Sequence, residues 1–211
     1  MKRALVLSVL GVLLAGCNSC KKEDEKTDKP APSGSTSAGL AQDGSGPPCR
    51  NDATKKVDAN GKLLSCVLAK PHAIDGYTCE WGKPFELYPD GKLRTCWFRE
   101  AKVISGVSCH DHVSFHSNGK LERCRVYVQK KDIVPGVDVR AGDWVSFYES
   151  GAVQRLELII APMTVQGVTC KGHQNYFYEN GKLKQCELAS PDGGEKLVCF
   201  DDKGVRRPDC S

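Results

Sequence analysis

From Cys49 to the C-terminus, apolar and polar residues alternate in short runs, and glycine turns divide the runs into pairs. The turns Asn60-Gly61, Asp90-Gly91, Asn118-Gly119, Ser150-Gly151, Asn180-Gly181 and Lys203-Gly204 follow one another at intervals of 30, 28, 32, 30 and 23 residues, and four of the six continue as Gly-Lys-Leu. Around the turns the order is roughly an apolar residue, an aromatic, a turn residue, Asn or Asp, Gly, Lys, Leu, two polar residues and Cys, as in Phe177 to Cys186. Alternation with a period of two marks a half-buried strand, and Asn-Gly or Asp-Gly supplies the positive φ of a two-residue hairpin turn. The pattern therefore predicts six antiparallel β-hairpins over residues 49–211. A single hairpin is not stable in water, so a period near thirty residues means stacked units that share a core. The expected fold is all-β: tandem antiparallel hairpin repeats forming an elongated sheet or solenoid.

A two-residue turn would set each aromatic opposite the leucine, giving the pairs Tyr88 with Leu93, His116 with Leu121, Tyr148 with Val153 and Tyr178 with Leu183. Leu87, Phe115, Phe147 and Phe177 would then point to the other face. Both faces would carry apolar surface, and the pattern leaves open which is the drier.

The chain has 12 Cys among 211 residues, and its body shows no zinc-type ligand pairs, so the cysteines predict disulfides and an oxidising compartment. Each unit has one cysteine five residues after the turn glycine (Cys66, Cys96, Cys124, Cys186) and one ahead of its first strand (Cys49, Cys79, Cys109, Cys170). Bonds could cross a unit or link successive units. The fourth unit discriminates, because Val139 and Leu156 stand where its two cysteines would be. Bonds within units lose one whole disulfide there and orphan no thiol, whereas bonds between units would leave Cys124 and Cys170 without their regular partners. The simpler rule predicts Cys49–Cys66, Cys79–Cys96, Cys109–Cys124, Cys170–Cys186 and, in the shortened last unit, Cys199–Cys210. Each leading cysteine lies several residues beyond the position opposite its partner, so the chain must bulge or fold back to bring the α-carbons within about 7 Å.

The N-terminus reads differently. Met1-Lys2-Arg3 is basic, and Ala4 to Gly16 is an uncharged, mostly apolar run. It is too short to span a bilayer as a helix and predicts a secretory signal peptide over residues 1–16. Its end, Leu14-Ala15-Gly16-Cys17, resembles the lipobox of bacterial lipoproteins. That resemblance implies acylation of Cys17 as the first mature residue and a membrane partner through the lipid anchor, two or three acyl chains being enough for a stable hold. In the sorting rule of that family, Asn18 in place of Asp favours the outer membrane over the inner. A redox pair in Cys17-Asn18-Ser19-Cys20 is disfavoured because a polar tail follows instead of a packed helix, and Cys20 is left as a loose thiol. Residues 21–48 are rich in Lys, Glu, Asp, Ser, Gly and Pro with one Leu40. Together with Cys17 they predict an acylated N-terminus and disordered tether over 17–48, on the order of 30 Å between ends as a flexible coil.

A net charge of +4 from 30 basic and 26 acidic residues gives no concentrated basic patch, so nucleic acid is not the expected partner. No serine nucleophile elbow, His-Glu-x-x-His or phosphate loop occurs, and Asp201-Asp202 sits beside a turn as solvated loop residues do. The expectation is no catalytic residue, no cofactor and no metal. His110, His112 and His116 share a parity along one strand and so could face one side, yet His116 fills the slot of Tyr88, Tyr148 and Tyr178, and no carboxylate or cysteine completes a site. Trp81, Trp97 and Trp144 take strand-like positions suited to packing.

The segments Phe85-Glu86-Leu87-Tyr88-Pro89-Asp90-Gly91-Lys92-Leu93 and Tyr176-Phe177-Tyr178-Glu179-Asn180-Gly181-Lys182-Leu183 resemble the bacterial variant of MORN repeats. The resemblance, in short pieces over most of Asp58 to Glu187, implies β-hairpin arrays without shared catalytic residues, often described as antitoxin-like. The function expected is a membrane-anchored, non-catalytic binding or scaffolding module of the cell envelope, with a protein or glycan partner. The alternative is an antitoxin or immunity-like protein that neutralises a toxin.

Overall fold

The computed structural model describes residues 46–159, 162–189 and 196–210. The predicted signal peptide, Cys17, Cys20 and nearly all of the predicted tether lie outside the described residues. Among those described there is no α-helix, and antiparallel strands carry the fold. In chain order, long and short hairpins alternate. β1 (Lys56–Val57) and β2 (Leu63–Val67) form a long hairpin, followed by a short one from β3 (His72–Ile74) and β4 (Tyr77–Cys79). β5 (Pro84–Leu87) and β6 (Leu93–Ile104) make the next long hairpin, and the end of β6 turns at Ser105-Gly106 into β7 (Val107–Phe115), which continues to β8 (Leu121–Val126). β9 (Lys130–Val134) and β10 (Val137–Val139) are short, β11 (Trp144–Phe147) and β12 (Val153–Glu157) long, and β13 (Met163–Val165) and β14 (Val168–Cys170) short again. β15 (Asn175–Phe177), β16 (Leu183–Leu188) and β17 (Lys196–Cys199) complete the array. One open 13-stranded sheet runs β1-β2-β5-β6-β7-β8-β11-β12-β15-β16-β14-β13, with β17 also paired to β16.

The long hairpins do not turn over two residues. Tyr88 N–H donates to the Lys92 carbonyl and Gly91 N–H to the Tyr88 carbonyl, enclosing three residues, and the same pair of bonds recurs at His116, Tyr148 and Tyr178. Only the third loop residue is left-handed, with φ of 94° at Gly91, 81° at Gly119, 97° at Gly151 and 77° at Gly181. This is a type I turn with a glycine bulge, a common three-residue alternative to the two-residue loop. The residue before that glycine braces the turn, since Asp90, Asn118 and Asn180 each accept, through Oδ1, the N–H of the lysine two residues on.

The extra residue slips the expected register by one, and a one-residue slip moves side chains to the other face. The leucines therefore oppose not the aromatics but the residues before them: Leu87 with Leu93, Phe115 with Leu121, Phe147 with Val153 and Phe177 with Leu183. All eight are buried on one face. The aromatics next in line reach instead to the following unit. Tyr88 Oη donates to the Phe115 carbonyl at 2.7 Å, Tyr148 Oη to Phe177 at 2.7 Å and Tyr178 Oη to Phe200 at 2.9 Å, while His116 Nε2 lies 2.9 Å from the Phe147 carbonyl. Lysines of the Gly-Lys-Leu turns extend this ladder: Lys62 Nζ donates to the Pro89 carbonyl at 2.6 Å and Lys92 Nζ to Ser117 at 3.1 Å.

The short hairpins were not among the six expected. Their turns, Asp75-Gly76, Ser105-Gly106, Pro135-Gly136 and Gln166-Gly167, recur with a period of their own. Three of the four have positive φ at both central residues, the two-residue type that the long hairpins lack. They cover the phenylalanine and leucine face. Tyr77 packs with its ring 5.5 Å from Phe98 and 4.8 Å from Phe115, and Asp75 Oδ2 accepts the Leu93 N–H at 2.8 Å. Ile104, Val107, Val134, Val137 and Val165 are buried in the same core.

Disulfides join Cys49–Cys66, Cys79–Cys96, Cys109–Cys124, Cys170–Cys186 and Cys199–Cys210, with α-carbons 5.2 to 5.8 Å apart. The fold-back that such spacing needs is the short hairpin itself. Cys79 and Cys170 end short hairpins, and their partners Cys96 and Cys186 lie in the long strands, so these bonds tie the cover to the sheet. In the fourth unit, Val139 ends its short hairpin and Leu156 lies in the sheet, and both are fully buried.

Candidate open-face site

With one face of the sheet covered, the alternate residues of the long strands point to the other. Directly opposed pairs run without a break from Ser65 to Glu86, Thr95, Ser114, Arg123, Ser146, Arg155, Tyr176 and Gln185. Opposed residues share a face, so the register of nine strands assembles this row. Beside it lies a second row of rings: Trp97 and His112 have centroids 5.4 Å apart, and His112 and Trp144 5.9 Å. Cations lie over the tryptophans, with Lys83 Nζ 4.8 Å from the Trp97 centroid and the Arg123 guanidinium 4.4 Å from that of Trp144. Such contacts hold long basic side chains flat against the sheet.

The charged part of the face centres on Glu157. It accepts from Arg123 Nη2 at 3.0 Å and also pairs with Arg155, so one carboxylate serves two guanidinium groups. Arg123 Nε is buried and has no acceptor among the described residues. Arg155 lies 5.9 Å over the Tyr176 ring, and Lys184 Nζ lies 5.5 Å over that of Tyr178. Between β8, β11, β12, β15 and β16, Arg123, Arg155, Tyr176 and Lys184 border a groove of about 470 Å³, completed by Glu122, Ser146, Tyr148, Gln154 and Phe177. On the ring side, burial holds the His112 imidazole below its ordinary 6.5, and Arg123 adds to the effect while Glu86 and Glu122 oppose it.

The three histidines of β7 and its turn are not brought together. His110 opposes Arg125, which opposes Trp144, and His112 opposes Trp97, so these two share the open face as their parity predicts, but the bulge between His110 and Val113, with Asp111 at φ 58°, gives them separate partners. His110 Nδ1 faces Asp111 Oδ1 at 2.9 Å, with Arg125 Nη1 3.1 Å from the other oxygen, and its ring packs on Tyr127. His112 joins the tryptophans, and His116 serves the inter-unit ladder. Among the described residues no group of three or more His, Cys, Asp or Glu could hold a metal ion. Trp81 is exposed beside a small hollow of about 210 Å³ with Glu80 and Arg99. Asp201 caps the last turn by accepting the N–H groups of Lys203 and Val205, and the Asp202 carbonyl accepts from Asn180.

Sequence reasoning singled out Trp97, Trp144 and the histidines but not Arg123, Ser146, Arg155 or Tyr176. A signal was present for part of it: of the two polar residues between the Leu or Val after each turn and the following cysteine position, in Arg94-Thr95, Glu122-Arg123, Gln154-Arg155 and Lys184-Gln185, the second joins this row.

Residues 171–188, which contain β15, its turn and β16, match the MORN repeat variant. The chain thus carries MORN-like repeats. No curated protein matches it.

Proposed function

We propose that the protein is a membrane-anchored envelope lipoprotein acting as a non-catalytic binding or scaffolding module, held by acylated Cys17 and binding its partner with the open face of the sheet. The observation that carries the reading is the division of labour between the two faces. One is sealed by short hairpins and disulfides, and the other carries a continuous row of polar, charged and aromatic side chains from Ser65 to Gln185, with no covering element among the described residues. Extended repeat surfaces commonly serve recognition, and rigid strands place such groups well. The lipobox-like Leu14-Ala15-Gly16-Cys17 supports the anchor and, with Asn18, an outer-membrane address. The test is photo-crosslinking of the full chain in its native envelope from a probe at Gln185, with wild type beside a Trp144→Ala/Tyr176→Ala variant. The expected result is one dominant adduct that the variant loses, in membranes from which Cys17→Ala releases the protein. Adducts unchanged by the variant, or Cys17→Ala remaining membrane-bound, would overturn the reading. A toxin as the adduct would move it to the antitoxin alternative.

A further inference from the structure

Resting on that reading of the open face, we propose that the groove over the fourth and fifth units is a subsite for an acidic saccharide, a sugar of the uronic-acid class whose carboxylate lodges between Arg155 and Lys184. The charges of the groove are unbalanced. Arg123, Arg155 and Lys184 bring three cations to its lining and Glu122 one carboxylate; Glu157, outside the lining, pairs with Arg123 and Arg155, and Lys184 forms no ion pair among the described residues. One further carboxylate neutralises the site. The Glu157 carboxylate, already seated between Arg123 and Arg155, demonstrates that the guanidinium groups here are disposed to receive such a group, which they bind with directional, charge-assisted hydrogen bonds.

The rest of the lining selects a sugar over a peptide. No aliphatic side chain borders the groove; its apolar surface comes from aromatic residues, Tyr148, Tyr176 and the fully buried Phe177, and the rest of its lining is polar or charged. Ser146 and Gln154 offer neutral donors and acceptors suited to hydroxyl groups, and Tyr148 and Tyr176 flank them with rings. A volume of about 470 Å³ falls within the range of small-ligand sites. The site also sits where the array is least stapled: β11 and β12 belong to the unit with Val139 and Leu156 in place of a disulfide, leaving these strands freer to adjust to a ligand.

The experiment is calorimetric titration of the purified full chain with trigalacturonate, its methyl ester, and triglutamate as a peptide carrying the same charge. Trigalacturonate is expected to bind, with affinity falling at least tenfold on esterification and falling again as salt rises. Lys184→Gln and Arg155→Gln should each weaken it at least tenfold while circular dichroism stays unchanged; Lys184→Gln keeps the test valid if loss of the Arg155–Glu157 pair disturbs the sheet. No heat with trigalacturonate, equal binding of the ester, or triglutamate binding as well or better would overturn the proposal. The crosslinking experiment at Gln185 is independent of sugar chemistry, so a silent titration beside a variant-sensitive adduct rejects the acidic saccharide and keeps the binding module.

Discussion

Asn175 stands out among the buried residues because it interrupts an apolar row. On the covered face the opposed pairs read Cys96, Val113, Cys124, Val145, Leu156 and then Asn175, fully buried, with neither side-chain atom hydrogen-bonded among the described residues. An unsatisfied buried amide costs about 1–3 kcal/mol, more than most polar groups return by packing. Asn175→Val installs the residue found at Val113 and Val145 and removes two unsatisfied atoms with little change of volume. The expected outcome is a gain of about 1–2 kcal/mol, read as a higher midpoint in equilibrium denaturation with an unchanged slope. A loss of similar size would show that the amide does have a partner. Such a residue, costly in the core and lying behind the groove strands, is the kind of local inconsistency that proteins confine to a working region.

At the scale of elements, the turns decided what could be read from sequence. Asn-Gly and Asp-Gly announced most of the long hairpins but serve both two-residue and three-residue loops, and the choice depends on how Asp90, Asn118 and Asn180 use their Oδ1 atoms. That ambiguity of one residue exchanged Tyr88 for Leu87 as the partner of Leu93 and left the drier face undecided. The short hairpins were legible in principle through Gly76, Gly106, Gly136 and Gly167, yet only Asp75 precedes its glycine with a residue typical of such turns, so the series hid behind the stronger one. The open-face row could not be read locally, because its members differ in type from unit to unit and meet only through the register of nine strands. The same equivalence of elements makes a prediction. Val139 and Leu156 occupy the positions of Cys79 and Cys96, a pair whose α-carbons lie 5.5 Å apart. A Val139→Cys/Leu156→Cys double variant should form a disulfide on export, detected as unreactive thiols and a mobility shift on reduction. A loop of this size is credited with about 3 kcal/mol, less the apolar packing given up. More free thiol in the exported variant than in the wild type, whose Cys20 is already unpaired by this reading, would mean that the fourth short hairpin sits differently over the sheet.

Across the whole array, stability should be uneven. In a chain of stacked units each contacts its neighbours, so local stability is set by the unit's own closure plus two interfaces. Units with a disulfide hold cover and sheet together even when strands fray, whereas the fourth relies on Val139 and Leu156 packing, on the Tyr148 bond to Phe177 and on neighbours that include the unsatisfied Asn175. Native-state hydrogen exchange on the oxidised protein should therefore find the amides of β11 and β12 opening with a lower free energy than those of β6, β7 and β8, although both sets lie within one continuous sheet. Mild reduction separates the causes. If the disulfides create the gradient, breaking them lowers protection in the second, third and fifth units toward that of the fourth, and the profile flattens before the protein unfolds. If protection is already uniform in the oxidised state, the sheet opens as one cooperative body, and an adaptable groove over the fourth unit loses its physical basis.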